Sequence, residues 1–377
     1  MRSRQHARIP FLSPIRLGRD AAGRPDLHAA RGAHPVRIAV VASPVTPLRP
    51  AQVGGAQSVI CDLAVGLVRR GHSVQLYCAE GSEVAGVELR MVPTPPDALR
   101  ALVMPGGAQA VPSPGVTAAI TTMFRRIANS RPDVVSQHAF DAPAFELAEM
   151  LPALHTLHLP PITPAVVAAV QLIPAKRLAT VSQSCWREWE AAGAQVGRVI
   201  RNGVSDLSVN GEPVEEVALI AGRISPEKGV DHALMAARMA SLPSRIAGSL
   251  YHPDYVVDLA GVEVLGSIPR DDLRRVMARS AVTVCAIRWE EPFGMVAAEA
   301  QMAGCPVAAY RRGALPEVVE EGVSGFLAAP DDVEDLARAI VKCLALDRKE
   351  VRASAQRRLG LEGMLNGYEA AMSEVAR

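Results

Sequence analysis

The sequence is poor in several features that mark particular classes of protein. Only 4% of its 377 residues are aromatic, too few for a platform that stacks nucleic-acid bases. The formal net charge is +1, so no general attraction to nucleic acid or anionic lipid is expected. No uninterrupted apolar stretch is long enough to span a bilayer. We therefore expect no nucleic-acid partner and no integral membrane segment, while the oligomeric state stays open.

The cysteines and histidines lack the spacings that are typical of metal sites. No two of the six cysteines form C-x-x-C, and most lie in apolar runs, as buried thiols of a reducing, cytoplasmic compartment do. His138, His155 and His158 show no H-E-x-x-H or comparable ligand spacing. We expect no metal site, and a buried structural role is the default interpretation of each histidine. A nucleophile elbow, a P-loop and the dinucleotide G-x-G-x-x-G are also missing.

The first residues differ from the rest of the chain. Met1–His34 is rich in arginine and has no apolar h-region, so it is not a secretory signal. The first apolar run begins only near Val36. We expect residues 1–35 to be a disordered extension, or the result of a misassigned start codon.

From Val36 onward, apolar runs alternate with amphipathic stretches. "VRIAVVA" is nearly continuous and typical of a strand buried on both faces. Apolar residues then recur at helical spacing from Val59 to Val68, Gly71 ends this helix, and "HSVQLYC" predicts the next strand. Strand, helix and strand in this order require a parallel crossover. Residues 93–116, rich in Pro and Gly, predict a long irregular loop.

A second α/β series follows "VIRNGV" (Val199–Val204). "VALIAGR" predicts a strand, and "SPEKGVDHALMAARMA" predicts a helix with Ser225 as N-cap and Pro226 in its first position. "VEVLGSI", "AVTVCAI" and "PVAAY" predict further strands, and "MVAAEAQMA" a helix. The second series therefore repeats the architecture of the first.

Two consecutive series of this kind predict an α/β fold of two Rossmann-like domains that face a cleft. We place the first domain at residues 36–200 and the second at 201–355. Residues 356–377 predict a C-terminal helix that packs back on the first domain. In such folds, ligands bind at the carboxyl ends of the strands.

The most informative segment is "EEPFGMVAAEAQMAGCPV". Pro292–Gly294 predicts a tight turn after a strand, with a helix beginning near Met295. The free N–H groups of Gly294, Met295 and Val296 would then form an anion site supported by the helix dipole.

Two carboxylates flank this helix start. Glu291 lies in the preceding loop and Glu299 a turn into the helix. A carboxylate that accepts two vicinal hydroxyls would suit a ribose on one side and a sugar ring on the other. The alternative is that both are solvated helix-end charges, which are favoured there in any case.

Two further segments have residues suited to phosphate. In "AGRISPEKG", Arg223 and Lys228 lie where a strand end meets the cleft, and two cations suit a diphosphate. Gly54 and Gly55 precede the first helix, where backbone can approach a phosphate or sugar closely. The alternatives are a surface pair on a capped helix and a plain turn.

Taken together, these segments resemble the family 4 retaining glycosyltransferases of the GT-B fold. "EPFGMVAAE" matches the E-x7-E motif of that family, "GRISPEKG" its arginine–lysine phosphate motif, and "GALPEVVEEGVSGFL" its "GGxPEVVxxGxxGfL" segment. "GGAQ", "PDVVSQH" and "VIRNGV" resemble further segments in the same order. The resemblance covers roughly residues 36–345. It implies retaining transfer of a hexose-type sugar from a nucleoside diphosphate sugar, most simply a UDP-sugar, without metal or other cofactor.

The resemblance also implies roles for the donor-site residues. Arg223 and Lys228 would neutralise the diphosphate of the donor. Glu299 would hold the ribose hydroxyls, and Glu291 would bind hydroxyls of the transferred sugar. The amides of Gly294–Val296 would bind the distal phosphate.

For the first domain, the resemblance implies that His138 contacts the primary hydroxyl of the donor sugar. Gly55, next to Gly54, would border both the phosphate and the acceptor. We expect a small soluble acceptor such as a cyclitol, a sugar or a natural-product aglycone, because no run of basic residues or amphipathic anchor points to a lipid surface.

Some positions depart from the family pattern, and other functions stay open. Arg201 stands where proline is usual, Ser136 where the first histidine of an "HxH" is common, and Ser205 where aspartate often follows "NGV". These departures concern the hinge and the acceptor contacts more than the donor site. The alternatives are a lipid-linked or polysaccharide acceptor, a nucleotide-sugar epimerase or phosphorylase, and a non-catalytic nucleotide-sugar binder on the same fold.

Overall fold

The computed structural model describes residues 35–49, 54–98, 113–206, 213–251 and 253–377. The extension expected at residues 1–35 falls almost entirely outside the described residues. Most of the irregular loop expected at 93–116 also lies outside them, and its last residues belong to a helix.

The described part of the chain alternates parallel strands with helices. The strands are β1 Arg37–Val41, β2 Ser73–Ala79, β3 Glu88–Val92, β4 Val134–Gln137, β5 Ala153–Leu157, β6 Leu178–Thr180, β7 Arg198–Val199, β8 Glu215–Ala221, β9 Ser244–Ala247, β10 Glu263–Val264, β11 Ser280–Cys285, β12 Val307–Tyr310 and β13 Gly325–Ala328. The helices are α1 Gly55–Arg69, α2 Pro114–Ser130, α3 Ala142–Leu147, α4 Pro164–Gln171, α5 Gln183–Ala191, α6 Val230–Met239, α7 Arg270–Arg279, α8 Met295–Met302, α9 Leu315–Val318, α10 Val333–Cys343, α11 Arg348–Leu359 and α12 Leu361–Val375.

The strands form two parallel sheets. Over the described residues, the first sheet has the order β3-β2-β1-β4-β5-β6-β7 and the second β10-β9-β8-β11-β12-β13. The interior strand β1 is buried over Ile38–Val41, because helices cover both faces of a parallel sheet and leave no solvated side. We call the first sheet with its helices the first lobe, and the second sheet with its helices the second lobe. This arrangement confirms the predicted α/β fold class.

Some boundaries differ from those that the sequence predicts. Ser225 does not cap a regular helix: Pro226–Lys228 form one 3-10 turn, and α6 begins after Gly229, whose backbone is left-handed. The predicted strand "VEVLGSI" is reduced to the two residues of β10. Short turns of this kind depend on the backbone path of the whole lobe, which local propensity does not specify.

Two helices, α11 and α12, form the C-terminal part of the described chain and meet at Gly360. Helix α11 packs against α8 of the second lobe, whereas α12 packs against α1, β4 and β5 of the first. The Tyr368 hydroxyl is buried and donates to the Thr156 hydroxyl at 3.1 Å. Arg70, the C-cap residue of α1, forms ion pairs with Glu362 and Glu369 of α12. The last helix is thus an integral part of the first lobe.

Candidate functional site

The candidate site begins at the N-terminus of α8, in the cleft between the lobes. Strand β11 ends at Cys285, and the chain turns through Pro292 and Phe293 before α8 starts at Met295. Gly294 has a left-handed φ of 93°, and a Cβ there would lie 2.9 Å from the Leu315 side chain. Only glycine adopts this turn without strain. The first N–H groups of a helix have no intrahelical acceptor, so those at the start of α8 are able to bind an anion.

Glu291, just before this turn, is held by a lysine and a tryptophan. The Lys228 ammonium lies 2.8 Å from Glu291 Oε2, and the Trp289 indole donates to the same oxygen at 2.9 Å. The lysine also lies 5.8 Å from the centre of the Trp289 ring. Burial raises the pKa of Glu291, but Lys228, Trp289 and the nearby Arg223 outweigh it, and the pKa lies below its ordinary value. Glu291 is therefore an ionised hydrogen-bond acceptor.

Arg223 lies beside this pair at the end of β8. Its guanidinium donates to Glu227 Oε1 at 3.2 Å and stacks over the Tyr251 ring, 4.6 Å from the ring centre. The 3-10 turn that replaces the predicted helix start also carries Lys228. The two predicted cations thus come together next to Glu291, as a binder of two phosphates would require.

Glu299, on the second turn of α8, is almost fully buried. Its Oε1 accepts from Arg270 Nε at 2.6 Å, and Arg274 lies 3.7 Å from the same oxygen. The side chain is only 8% exposed, and that of Glu291 only 14%. The interpretation of both carboxylates as solvated helix-end charges is therefore wrong.

Across the cleft, the start of α1 approaches α8. A Cβ added at Gly55 would lie 3.0 Å from Met295 Cγ, so a larger residue here would require the Met295 side chain to shift. Gly54 is the N-cap residue of α1 and has no side chain to cap it. Further along α1, Asp62 Oδ2 lies 2.9 Å from Arg270 Nη1. The first lobe therefore reaches Met295 and Arg270 of the second lobe through α1.

His138 lies in a buried histidine cluster of the first lobe. Its Nε2 is 2.8 Å from the Ser136 hydroxyl and its Nδ1 is 2.9 Å from His158 Nε2. Its ring also packs against Tyr368 of α12, 5.7 Å away. Burial and the neighbouring histidines hold the pKa of His138 well below its usual value, so the ring is neutral. To bind a sugar hydroxyl, His138 would have to exchange one of these two partners.

A second contact joins the lobes at α9. The Glu317 carboxylate accepts from the backbone N–H groups of Gln183 at 2.9 Å and Ser184 at 2.7 Å, the first two residues of α5. Since α5 belongs to the first lobe, a carboxylate of one lobe caps a helix of the other. At the N-cap of α9, the Ala314 N–H donates to the Glu291 carbonyl at 2.9 Å. The interlobe cap is therefore connected to the loop that carries Glu291.

The departures from the family pattern find local partners. Ser136 is the partner of His138, and Ser205 accepts from Arg274 at 3.2 Å, where an aspartate would form an ion pair. Arg201 lies 3.9 Å from Glu317, near the interlobe cap.

Sequence reasoning missed Trp289, Arg270, Asp62 and Glu317. Trp289 stands two residues before Glu291. Of these four residues, it is the one that its closeness in sequence to a candidate could have revealed. Arg270 lies 29 residues from its partner Glu299, and Asp62 and Glu317 act across the cleft. No spacing rule reveals contacts of that range.

The described residues hold neither a cluster of metal-ligating side chains nor a helix that could span a membrane. No group of three or more His, Cys, Asp or Glu side chains is arranged to hold a metal ion within them. Likewise, none of the described helices is both long and apolar enough to cross a membrane.

Comparison with known families assigns each lobe. Residues 53–206 match the model of "Glycosyltransferase Family 4", and residues 208–359 match that of "Glycosyl transferases group 1".

Curated relatives match part of the chain. The D-inositol 3-phosphate glycosyltransferase of Mycobacterium sp. (strain KMS) is 38% identical over 159 residues, which cover 38% of this chain and 36% of the relative. Spore coat protein SA of Bacillus subtilis (strain 168) is 30% identical over 165 residues, 37% of this chain and 40% of that protein. The chain thus matches little more than a third of the length of these relatives.

Solved structures match nearly the whole fold. AviGT4, a glycosyltransferase involved in avilamycin A biosynthesis, superposes with a TM-score of 0.68 at 21% identity, over 90% of this chain and 98% of that one. Anabaena HepE in complex with UDP-glucose superposes with a TM-score of 0.67 at 19% identity, over 90% and 100% of the two chains.

Proposed function

This chain belongs to the family 4 glycosyltransferases of the GT-B fold, and from that premise we propose that it moves a hexose from a UDP-sugar to a hydroxyl of a small acceptor, with retention of anomeric configuration. The observation that carries the proposal is the Lys228–Glu291 pair, 2.8 Å apart, at the start of α8. It joins a cation for phosphate to an ionised acceptor for sugar hydroxyls, beside free helix N–H groups.

The reaction needs charge stabilisation most at the leaving group. As the glycosidic bond breaks, the nucleoside diphosphate gains negative charge. In this proposal, Arg223, Lys228 and the amides of Gly294–Val296 stabilise that charge, which is the function a metal ion serves in other enzymes. The proposal is therefore metal-independent transfer.

The proposed division of the donor follows the two carboxylates. Glu299 holds the ribose hydroxyls, and Glu291 binds hydroxyls of the transferred sugar. Oε2 of Glu291 already receives two hydrogen bonds from Lys228 and Trp289, so this oxygen is poorly suited to attack a sugar as a nucleophile. This supports attack by the acceptor on the same face that the diphosphate leaves, with the departing phosphate taking the proton. Retention follows from that path.

The acceptor is the less defined partner, and we place it in the first-lobe half of the cleft near Gly55 and His138. The name of the mycobacterial relative, D-inositol 3-phosphate glycosyltransferase, supports a cyclitol or another small polyol as the class to try first. The Ser136–His138 hydrogen bond is the contact that a sugar hydroxyl would replace if His138 binds the donor sugar.

A donor and acceptor screen tests the proposal. Purified protein is incubated with UDP-, GDP- and ADP-sugars and a panel of cyclitols and sugars, with and without excess chelator. We expect transfer from a UDP-hexose, unchanged by chelator, and a product with the donor's anomeric configuration by NMR. Activity lost with chelator and restored by Mg²⁺ would contradict the metal-independent mechanism.

Other outcomes identify the alternatives. An altered sugar formed from donor alone would point to an epimerase. Transfer that appears only with anionic vesicles, together with salt-sensitive flotation of the protein on them, would point to a lipid-linked acceptor. Nucleotide binding without turnover of any donor would indicate a non-catalytic nucleotide-sugar binder.

A further inference from the structure

Arg270 is placed between the two lobes in a way that the family motifs do not assign. It is the first residue of α7 and only 14% exposed. Its Nε donates to Glu299 in the second lobe, while its Nη1 lies 2.9 Å from Asp62 on α1 of the first. One buried guanidinium thus connects the proposed ribose-binding carboxylate with the opposite wall of the cleft.

Within the described residues, the hydrogen bond and the ion pairs of Glu299 involve one of its two oxygens. Both the Arg270 hydrogen bond and the longer Arg274 contact fall on Oε1. A carboxylate held through one oxygen keeps a fixed orientation and can still accept a hydroxyl at the other. A guanidinium suits this task because its several donors lie in one plane and reach two acceptors at once.

The charges around Arg270 form a balanced, mostly buried group. Asp62 and Glu299 are 17% and 8% exposed, so each would be costly to leave without the arginine. A cavity of about 240 Å³, lined by Ser58 and Cys61 of α1 and by Pro269 and Arg270, opens beside the group. Opening the cleft would separate Asp62 from Arg270 and expose both.

We propose that Arg270 is a positioning residue of the donor site, which orients Glu299 and, through Asp62, couples nucleotide binding to contact between the lobes. This inference rests on the proposed function, because it takes Glu299 as the ribose ligand. A nucleotide that binds the oriented Glu299 then favours the arrangement in which α1 closes on the donor, and closure in turn favours the nucleotide.

A double-mutant cycle read by UDP affinity tests the coupling. Asp62→Asn keeps the shape of the side chain and removes its charge, and we expect it to weaken UDP binding about fivefold by calorimetry, the lower range of coupling between sites. Asp271→Asn is the matched control, because that carboxylate is 69% exposed and contacts Arg274 rather than Arg270. The control is expected to change UDP affinity less than about twofold, as exposed pairs contribute little.

The second arm asks whether Asp62 acts through Arg270. In an Arg270→Met background, Asp62→Asn is expected to have no further effect on UDP affinity. If Arg270→Met fails to fold, Arg270→Lys replaces it as the background. In that background we expect Asp62→Asn to weaken UDP binding less than it does in the parent protein. Melting temperatures without UDP separate lost stability from lost coupling.

Two results would overturn the inference alone: an Asp62→Asn variant that binds UDP as the Asp271→Asn control does, or an equal loss in both backgrounds. A parent protein that binds no UDP would instead refute the proposed donor, and the inference with it.

Discussion

At the scale of single residues, Glu291 and Glu299 differ in what surrounds them. Glu291 is bonded to Lys228 and Trp289 in the loop beside the helix start, whereas Glu299 is bonded to Arg270 within the lobe interface. In our proposal, Glu291 thus faces the reacting sugar and Glu299 faces the nucleoside.

We expect Glu291→Gln and Glu299→Gln to fail differently. Contacts to the reacting sugar strengthen in the transition state, so Glu291→Gln is expected to lower kcat on the order of 100-fold with little change in KM. Ribose contacts are the same in ground and transition states, so Glu299→Gln is expected to weaken donor binding about tenfold at nearly constant kcat. Steady-state kinetics with varied donor concentration measures kcat and KM of both variants. If the two variants changed kcat and KM in the same way, the assignment would be contradicted.

The pH dependence of activity reports on the Lys228–Glu291 pair. Glu291 has a lowered pKa, so its carboxylate stays ionised until the pH falls below the ordinary carboxyl range. In Lys228→Met, burial is no longer offset by the lysine, and the pKa of Glu291 rises. We expect the acid limb of kcat/KM to move to higher pH in this variant, besides a loss of about 100-fold in kcat.

The matched control for this prediction is Lys176→Met, which removes an exposed lysine of the first lobe. Its pH profile should overlay that of the parent protein. An acid limb that stays in place in Lys228→Met would show that Glu291 does not titrate in the profile.

At the scale of elements, the contact between α9 and α5 joins the two lobes. Glu317 accepts hydrogen bonds from two N–H groups at the start of α5, and its side chain is 15% exposed. Ser182 caps a third N–H group of the same helix, that of Cys185, at 3.0 Å. The helix start is therefore satisfied by both lobes together.

We expect Glu317→Gln to destabilise the protein by about 1 kcal/mol, as the loss of a charged helix cap does. Because the cap joins the lobes, kcat is expected to fall as well. Glu334→Gln is the control, since Glu334 is an exposed residue in the first turn of α10. Urea denaturation and donor kinetics of both variants measure the two effects, and identical behaviour of the variants would argue against an interlobe role.

At the scale of the whole molecule, the chain passes from the first lobe to the second and then returns to the first. The last helix, α12, returns to pack on α1, β4 and β5, and the first lobe contacts α8 and α7 through Gly55 and Asp62. A ligand held between the lobes is therefore expected to stabilise the molecule as a unit.

We expect UDP to raise the melting temperature in a dose-dependent way. At 100 times its dissociation constant, UDP adds about 2.7 kcal/mol to the free energy of unfolding, because it binds the folded state only. Differential scanning fluorimetry measures the shift, with uridine at equal concentration as the control for the diphosphate contribution. An equal shift with uridine would show that Arg223 and Lys228 do not bind the phosphates.

The sequence by itself determined the first strand and helix, the turn before α8 and the order of the motifs. The continuous apolar run at β1 and the helical spacing in α1 follow from local periodicity, which a residue's neighbours in the chain suffice to set. The turn before α8 was also predictable, because Gly294 and the residues around it form a local unit. For the same reason Glu291 and Glu299 could be selected as candidates without a structure.

Only the tertiary structure decided which side chains are partners. Glu299 meets Arg270, and Arg270 meets Asp62, through contacts between elements far apart in the chain. His138, selected for a sugar contact, has protein partners at both ring nitrogens, because β4 and the end of β5 bring Ser136 and His158 to it. Such contacts arise when the lobes and sheets pack, and the energy of a buried polar group depends on the partner it finds there.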